Sequence, residues 1–270
     1  MTRPSVAVVA PLSGPRTAWG AALLDQLEMI RAARPDAAEW HVHNETPEAA
    51  RTVADGGYAA VVGHADAEGA RRALPVYRAA GLPCLLPFVR AGAPALSWAP
   101  DDDALARVIV EGALALGVRE LAVAQDEEPA WAALGLAVAE EAGKAGLTPG
   151  PGGVLAVLAP QDRFARLARG TGPVLTPTDC GLASFAQLCH AASDRDVWAV
   201  HPRMCTVHRA RAAVTALAQA LAEAPALRGT ALTDAVRACS GALLTAEGTP
   251  LGDGWLISRL PWACPARSPL

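Results

Sequence analysis

The turn His64-Ala65-Asp66-Ala67-Glu68 carries three ionisable residues at alternate positions. An imidazole and two carboxylates so close could hold a metal or share a proton. Spacing of i, i+2, i+4 on a turn is nonspecific, however, and no two cysteines form a C-x-x-C pair, so no metal is expected. A second group has one sign: Arg16 and Arg90 can each grip a carboxylate or phosphate with a forked guanidinium. A third has the opposite sign: Asp126-Glu127-Glu128 and Asp179 are acceptors for a cationic or donor group. Cys180 and His190 stand near Asp179, but proximity in sequence is not the geometry of an activated nucleophile. G-x-S-x-G, Walker and G-x-G-x-x-G patterns are all missing. No catalytic residue and no cofactor are therefore assigned.

These residues sit where an alternating chain would put them. The apolar run 59–62 meets Gly63 and the polar turn 64–68, then apolar spacing at Ala70, Leu74, Val76 and Tyr77 predicts a helix that stops near Gly81. Residues 82–87 read as the next strand. Strand, crossover helix and strand imply a parallel sheet. Ligands bind such sheets beyond the carboxyl ends of the strands. That rim holds His64, Asp66, Ala67, Phe88 and Arg90. Ser13 follows the first strand, 6–10, in the loop that leads to a helix over 18–33. A strand over 39–43 and a helix over 47–54 complete the first half. His41 and His43 alternate on that strand and are expected to face solvent.

Ser97-Trp98-Ala99-Pro100 interrupts the alternation, and Asp101-Asp102-Asp103 opens a helix with acid in its first turn. Further strands are read at 120–125, 154–158, 173–175 and 197–200, with helices over 131–145, 161–169, 205–223 and 230–239. Residues 148–153 read as a Pro/Gly loop. The tail, 242–245 and 254–259 around Glu247-Gly248-Thr249, reads as a hairpin.

Composition sets the outer bounds. A chain of 270 residues with 52% hydrophobic residues can bury a large core and usually divides in two. A net charge of −4 without a basic run argues against nucleic acid. No apolar run reaches the ~18 residues that span a bilayer. The strand at 6–10 leaves no room for a signal peptide, so a cytoplasmic location is expected unless a leader was removed. The six cysteines show no paired spacing and read as reduced, buried thiols.

The ordered stretches Ala10-Pro11-Leu12-Ser13-Gly14-Pro15 with Trp19-Gly20, Val61-Val62-Gly63-His64, and Val76-Tyr77-Arg78-Ala79-Ala80-Gly81-Leu82-Pro83 resemble the type I periplasmic binding proteins. Within that fold the chain looks most like the branched-chain amino-acid (Leu/Ile/Val-binding-like) binding protein family. Pro100-Asp101-Asp102, Leu116-Gly117-Val118 and Glu247-Gly248-Thr249-Pro250 extend the likeness over nearly the whole chain. The resemblance implies two doubly wound α/β lobes joined by a three-crossing hinge. Lobe 1 would be 1–98 with 203–240, and lobe 2 would be 99–202 with 241–265, followed by a tail. It also implies that lobe 2 is reduced, with Gly150-Pro151-Gly152-Gly153 replacing a strand–helix unit. Trp19 and Trp131 match aromatic positions on the two cleft edges. Ala67 and Arg90 fall where the family places small hydroxyl residues against the ligand carboxylate. Thr178, beside Asp179, falls where the family's acid meets the ligand ammonium.

The expected function is noncatalytic binding of a small, amino-acid-like or other polar metabolite by closure around it. The chain would then be a cytoplasmic sensor whose state a protein partner reads. The alternatives are the substrate-binding component of an ABC transporter lacking its leader, or an enzyme or ligand-free scaffold recruited from the fold.

Overall fold

The structure, a computed structural model, describes residues 3–14, 16–160, 163–178, 195–250 and 252–260. In chain order the elements begin β1 (Ser5–Ala10), α1 (Thr17–Ala33), β2 (Glu39–Asn44), α2 (Ala49–Asp55), β3 (Ala60–Gly63), α3 (Ala67–Ala79), β4 (Cys84–Leu86) and β5 (Leu96–Ser97). There follow α4 (Leu105–Ala115), β6 (Glu120–Gln125), α5 (Pro129–Lys144), β7 (Thr148–Pro149), β8 (Val154–Leu158), α6 (Phe164–Leu167) and β9 (Val174–Pro177). The described elements end with β10 (Val197–Pro202), α7 (Thr206–Glu223), α8 (Gly229–Cys239) and β11 (Trp255–Arg259). They fall into two compact units, 1–100 with 204–254 and 101–203 with 255–270.

Unit 1 is built on a parallel sheet in the order β2-β1-β3-β4-β5. Helices α1 and α7 pack together, as do α2 and α3. β1 lies inside the sheet, and five successive apolar residues from Val6 to Ala10 are fully buried. A strand covered on both faces reads as such a continuous apolar run. The chain leaves β1 for β2 on one side and returns past it to β3 on the other. The strand order therefore reverses between β1 and β3, which is where a doubly wound sheet opens a crevice.

α3 shows how local sequence fixes an element that frames this crevice. Asp66 caps its start, accepting from Gly69 N at 2.7 Å. Ala70, Ala73, Leu74 and Tyr77 form its buried face. The spacing of these four is that of one helical stripe.

Unit 2 carries a six-stranded sheet, β11-β10-β9-β8-β6-β7, parallel except for β11. The reduction expected here has a specific geometry. Thr148 and Pro149, expected in a loop, form the short β7 against Glu120 and Leu121. Val154 then pairs with Leu121 from the opposite side of β6. Only residues 150–153 separate the two, and no helix intervenes. The chain passes beneath the start of β6, where Gly152 N donates to Glu120 Oε2 at 2.9 Å. A Cβ at Gly153 would collide with the Glu120 carbonyl, so this passage requires glycine.

Three expectations are corrected. The tail is not a hairpin between 242–245 and 254–259. The turn at Thr245–Thr249 docks on β5, with Ser97 N donating to Gly248 O at 2.8 Å, and residues 241–254 consequently belong to unit 1. Only β11 lies in unit 2, antiparallel to β10. Finally, β2 is turned the other way from its expected face: His41 and His43 are half-buried against Tyr58, whereas Val42 is exposed. His43 Nε2 meets the Tyr58 hydroxyl at 3.0 Å. Burial, and then the neighbouring His41, hold the His43 imidazole below its usual pKa.

Candidate functional site

The carboxyl end of β3 is the tightest part of the unit 1 rim. Gly63 has φ +143°, and a side chain there would strike the Val9 carbonyl. His64 follows with φ +64°, a left-handed conformation that costs a non-glycine residue about 1–2 kcal/mol. Its amide donates to Val9 O at 3.0 Å, which ties the turn to the end of β1. The bend turns the His64 ring inward, leaving the residue 3% exposed.

His64 there joins a network whose centre is Glu45, the residue just beyond β2. Glu45 Oε1 lies 3.0 Å from His64 Nδ1, and Tyr77 Oη lies 3.0 Å from His64 Nε2. Glu45 also accepts from the amides of Ala65, at 3.0 Å, and Asp66, at 3.3 Å. One neutral arrangement satisfies every group: Nδ1–H donates to the carboxylate, and the tyrosine hydroxyl donates to Nε2. Burial by itself would raise the Glu45 pKa. The His64 hydrogen bond and the two amides outweigh that effect and draw it below the usual glutamate value. Burial first, then Cys84 and Glu45, push the Tyr77 phenol up, so it stays protonated as a donor.

The expected trio at 64–68 thus has three separate sets of partners. His64 faces Glu45 and Tyr77. Asp66 caps α3 and pairs with Arg16 at 3.1 Å. Glu68 pairs along the helix with Arg71 at 3.1 Å. The trio does not converge on a point where a metal could sit.

The other unit 1 rim residues form two groups. Trp19, in the first turns of α1, stacks on Phe88 after β4 with ring centroids 6.1 Å apart and planes at 28°. Phe88 is buried beneath the half-buried tryptophan, and Arg90, also half-buried, lies two residues further on. Ala67 is the first residue of α3. Ser13, His64 and Asp66 instead line a pocket of about 550 Å³ toward α2 and α3.

In unit 2, Asp126 follows β6 with its side chain inaccessible. Its carboxylate accepts from Arg163 at 2.7 Å, Arg166 at 3.3 Å and the Glu128 amide at 3.2 Å. The Arg163 hydrogen bond is the main cause of a lowered pKa, against the opposing effect of burial. Asp126 therefore anchors the start of α6. Trp131, on α5, packs half-buried against the unit 2 core. Thr178 is buried after β9, its amide donating to Val200 O at 2.9 Å. Asp179, Cys180 and His190 lie outside the described residues.

Glu45 was missed from the sequence, although it gathers more of the rim than any residue that was named. Its only local signal is its place in Asn44-Glu45-Thr46-Pro47, a polar break directly after a strand. Asn44 works beside it, accepting from Leu12 N at 3.0 Å and fixing the loop after β1.

No protein-family model matches the sequence, and no curated protein matches it. Solved structures do match in shape. A leucine binding protein from Thermotoga maritima aligns over 94% of this chain and 97% of its own, with 12% identity and a TM-score of 0.66. An ABC transporter substrate-binding protein from Desulfitobacterium hafniense, in complex with Leu, aligns over 96% and 97%, with 14% identity and a TM-score of 0.62. A solute binding protein of an ABC transporter from Rhodopseudomonas palustris, in complex with 3,4-dihydroxy benzoic acid, aligns over 87% and 84%, with 14% identity and a TM-score of 0.61. At this identity the likeness speaks for architecture alone, and the chain has the α/β fold of the type I periplasmic binding proteins.

Proposed function

We propose that the chain is a noncatalytic binding protein for a small polar metabolite, amino-acid-like in charge, taken up at the carboxyl rim of the unit 1 sheet. The observation that carries this reading is the stacked Trp19–Phe88 pair with Arg90 two residues beyond it. Aromatic rings and a guanidinium on one rim suit an apolar side chain and a carboxylate together. Ala67, the first residue of α3, is proposed as a further contact. In unit 2, Trp131, Thr178 and Asp179 are proposed as ligand contacts from their places in the sequence. Asp126 has a supporting part among them, since its own oxygens already hold Arg163 and Arg166. The solved relatives in shape that hold leucine or a hydroxylated benzoic acid support a ligand of this size.

Native mass spectrometry of the full chain, purified without denaturation, should reveal a retained small molecule. Calorimetry with that molecule, and with leucine and isoleucine as probes, should then show binding. Loss of one partner of a desolvated charge pair costs about 2–5 kcal/mol, so Arg90→Ala should weaken binding at least ~30-fold. Equal affinities would remove Arg90 from the site.

A second setting is favoured by what the matching structures are: delivery of the ligand to an ABC transporter rather than sensing inside the cell. Among the described residues no helix is long and apolar enough to cross a membrane. A secretory or lipoprotein leader encoded upstream would decide for transport. A protein partner that binds only the liganded chain would decide for sensing.

A further inference from the structure

The 550 Å³ pocket between α2 and α3 is separate from the Trp19–Phe88–Arg90 group, none of which lines it. It has a physical origin. Ala50 of α2 and Gly69 and Ala73 of α3 are too small to fill the space between their helices. Its volume is that of a small-molecule site.

The charges around it are unequal in availability. Two of its three carboxylates are already engaged: Glu45 by His64, Ala65 and Asp66, and Asp66 by Gly69 N and Arg16. The arginines retain donors. Arg51 forms no ion pair or side-chain hydrogen bond among the described residues. Among the described residues Arg72 meets only Glu68, at 3.5 Å on an exposed face, and Arg16 reaches Asp66 through a single nitrogen. The remaining carboxylate is Glu48 at the start of α2, and Thr46 lines the same pocket.

We propose that this pocket is a second ligand site, for a small anion that also carries a hydroxyl group. Arg51 and Arg72 would clasp the anionic group from the two helices, and Glu48 and Thr46 would meet the hydroxyl. Hydroxycarboxylates and phosphate monoesters of polyols share this chemistry. The site stands whether or not the Arg90 rim binds an amino acid.

The test is calorimetric titration of the full chain with malate and with glycerol 3-phosphate, plus amide shift mapping by NMR. At least one probe should bind with a Kd below about 1 mM. The tighter of the two identifies the anionic group, and shifts should centre on 45–51 and 69–76. The double variant Arg51→Glu/Arg72→Glu changes two exposed side chains and should keep the native fold by circular dichroism. It should bind at least ~10-fold more weakly, since charge complementarity turns into repulsion. Arg90→Ala should bind these probes as the native chain does. Failure of both probes to saturate by about 10 mM overturns the site. So does unchanged affinity in the double variant, or shifts centred on Trp19 and Arg90. Loss of leucine-type binding with malate or glycerol 3-phosphate binding intact would count only against the rim.

Discussion

Glu45 follows β2 in unit 1 and Asp126 follows β6 in unit 2, each just past the carboxyl end of a parallel strand. Both are buried as side chains, and both have a pKa drawn below the ordinary value. Their partners differ. Glu45 is held by a buried imidazole and two backbone amides. Asp126 is held mainly by two arginines whose side chains are 49% and 61% exposed. A rim built on interior donors is fixed by the fold itself. A rim built on exposed guanidinium groups can rearrange at little cost, because those groups return to water. The pair therefore contrasts a rigid lobe-1 floor with an adjustable lobe-2 edge.

The largest expected effect breaks the first of these. Glu45→Ala strands the His64 Nδ1–H and the Ala65 and Asp66 amides. Each stranded buried donor costs about 1–3 kcal/mol, and partial access of water reduces the sum, so a loss of about 3 kcal/mol is expected in urea unfolding. Asp126→Asn should lower stability by clearly less, since Arg163 and Arg166 regain solvent and the Glu128 amide retains an oxygen. An Asp126 loss equal to that of Glu45 would abolish the contrast.

Acid sharpens it next. The Glu45 pKa is lower folded than unfolded. The resulting stability is complete above the ordinary glutamate value and is lost as pH falls through the folded value. Unfolding midpoints measured from pH 6 downward should thus fall below about pH 4.5 in the native chain. Glu45→Gln should be less stable at neutral pH and show a flatter acid profile. A profile parallel to that of the native chain would mean that Glu45 is not linked to folding.

The alternation that defines both sheets was legible because it is local: buried strands such as 6–10 and 59–62 are continuous apolar runs, and helices such as α3 carry their own stripe and cap. What failed depended on distant partners. Glu45 acts through residues 64–66, and a charged residue after a polar edge strand looks like any solvated loop acid. His41 and His43 were turned outward because alternation says which residues share a face, not which face Tyr58 covers. The tail had real turn residues at 245–249, yet a turn does not specify whether its two arms pair together or with β5 and β10. Asp126 was found by position, and its closure by Arg163 and Arg166 could not be read from a spacing of nearly forty residues.

The smallest expected effect separates the two carboxylates by salt. Salt weakens ion pairs in proportion to how far solvent reaches them, and the Debye length falls from about 10 Å at 0.1 M to about 3 Å at 1 M. Arg163 and Arg166 reach Asp126 from a solvated side, so counterions compete for their outer faces. The His64 and amide donors to Glu45 are short and buried, and salt has little access to them. The stability gap between the native chain and Asp126→Asn should therefore narrow as sodium chloride rises from about 0.05 to 1 M. The gap to Glu45→Gln over the same range should stay constant. Chloride is the right anion for this comparison, because sulfate would also strengthen apolar burial throughout the chain. Equal narrowing in both variants would show that solvent reaches Glu45 as freely as Asp126. The unit 1 floor would then be as adjustable as the unit 2 edge.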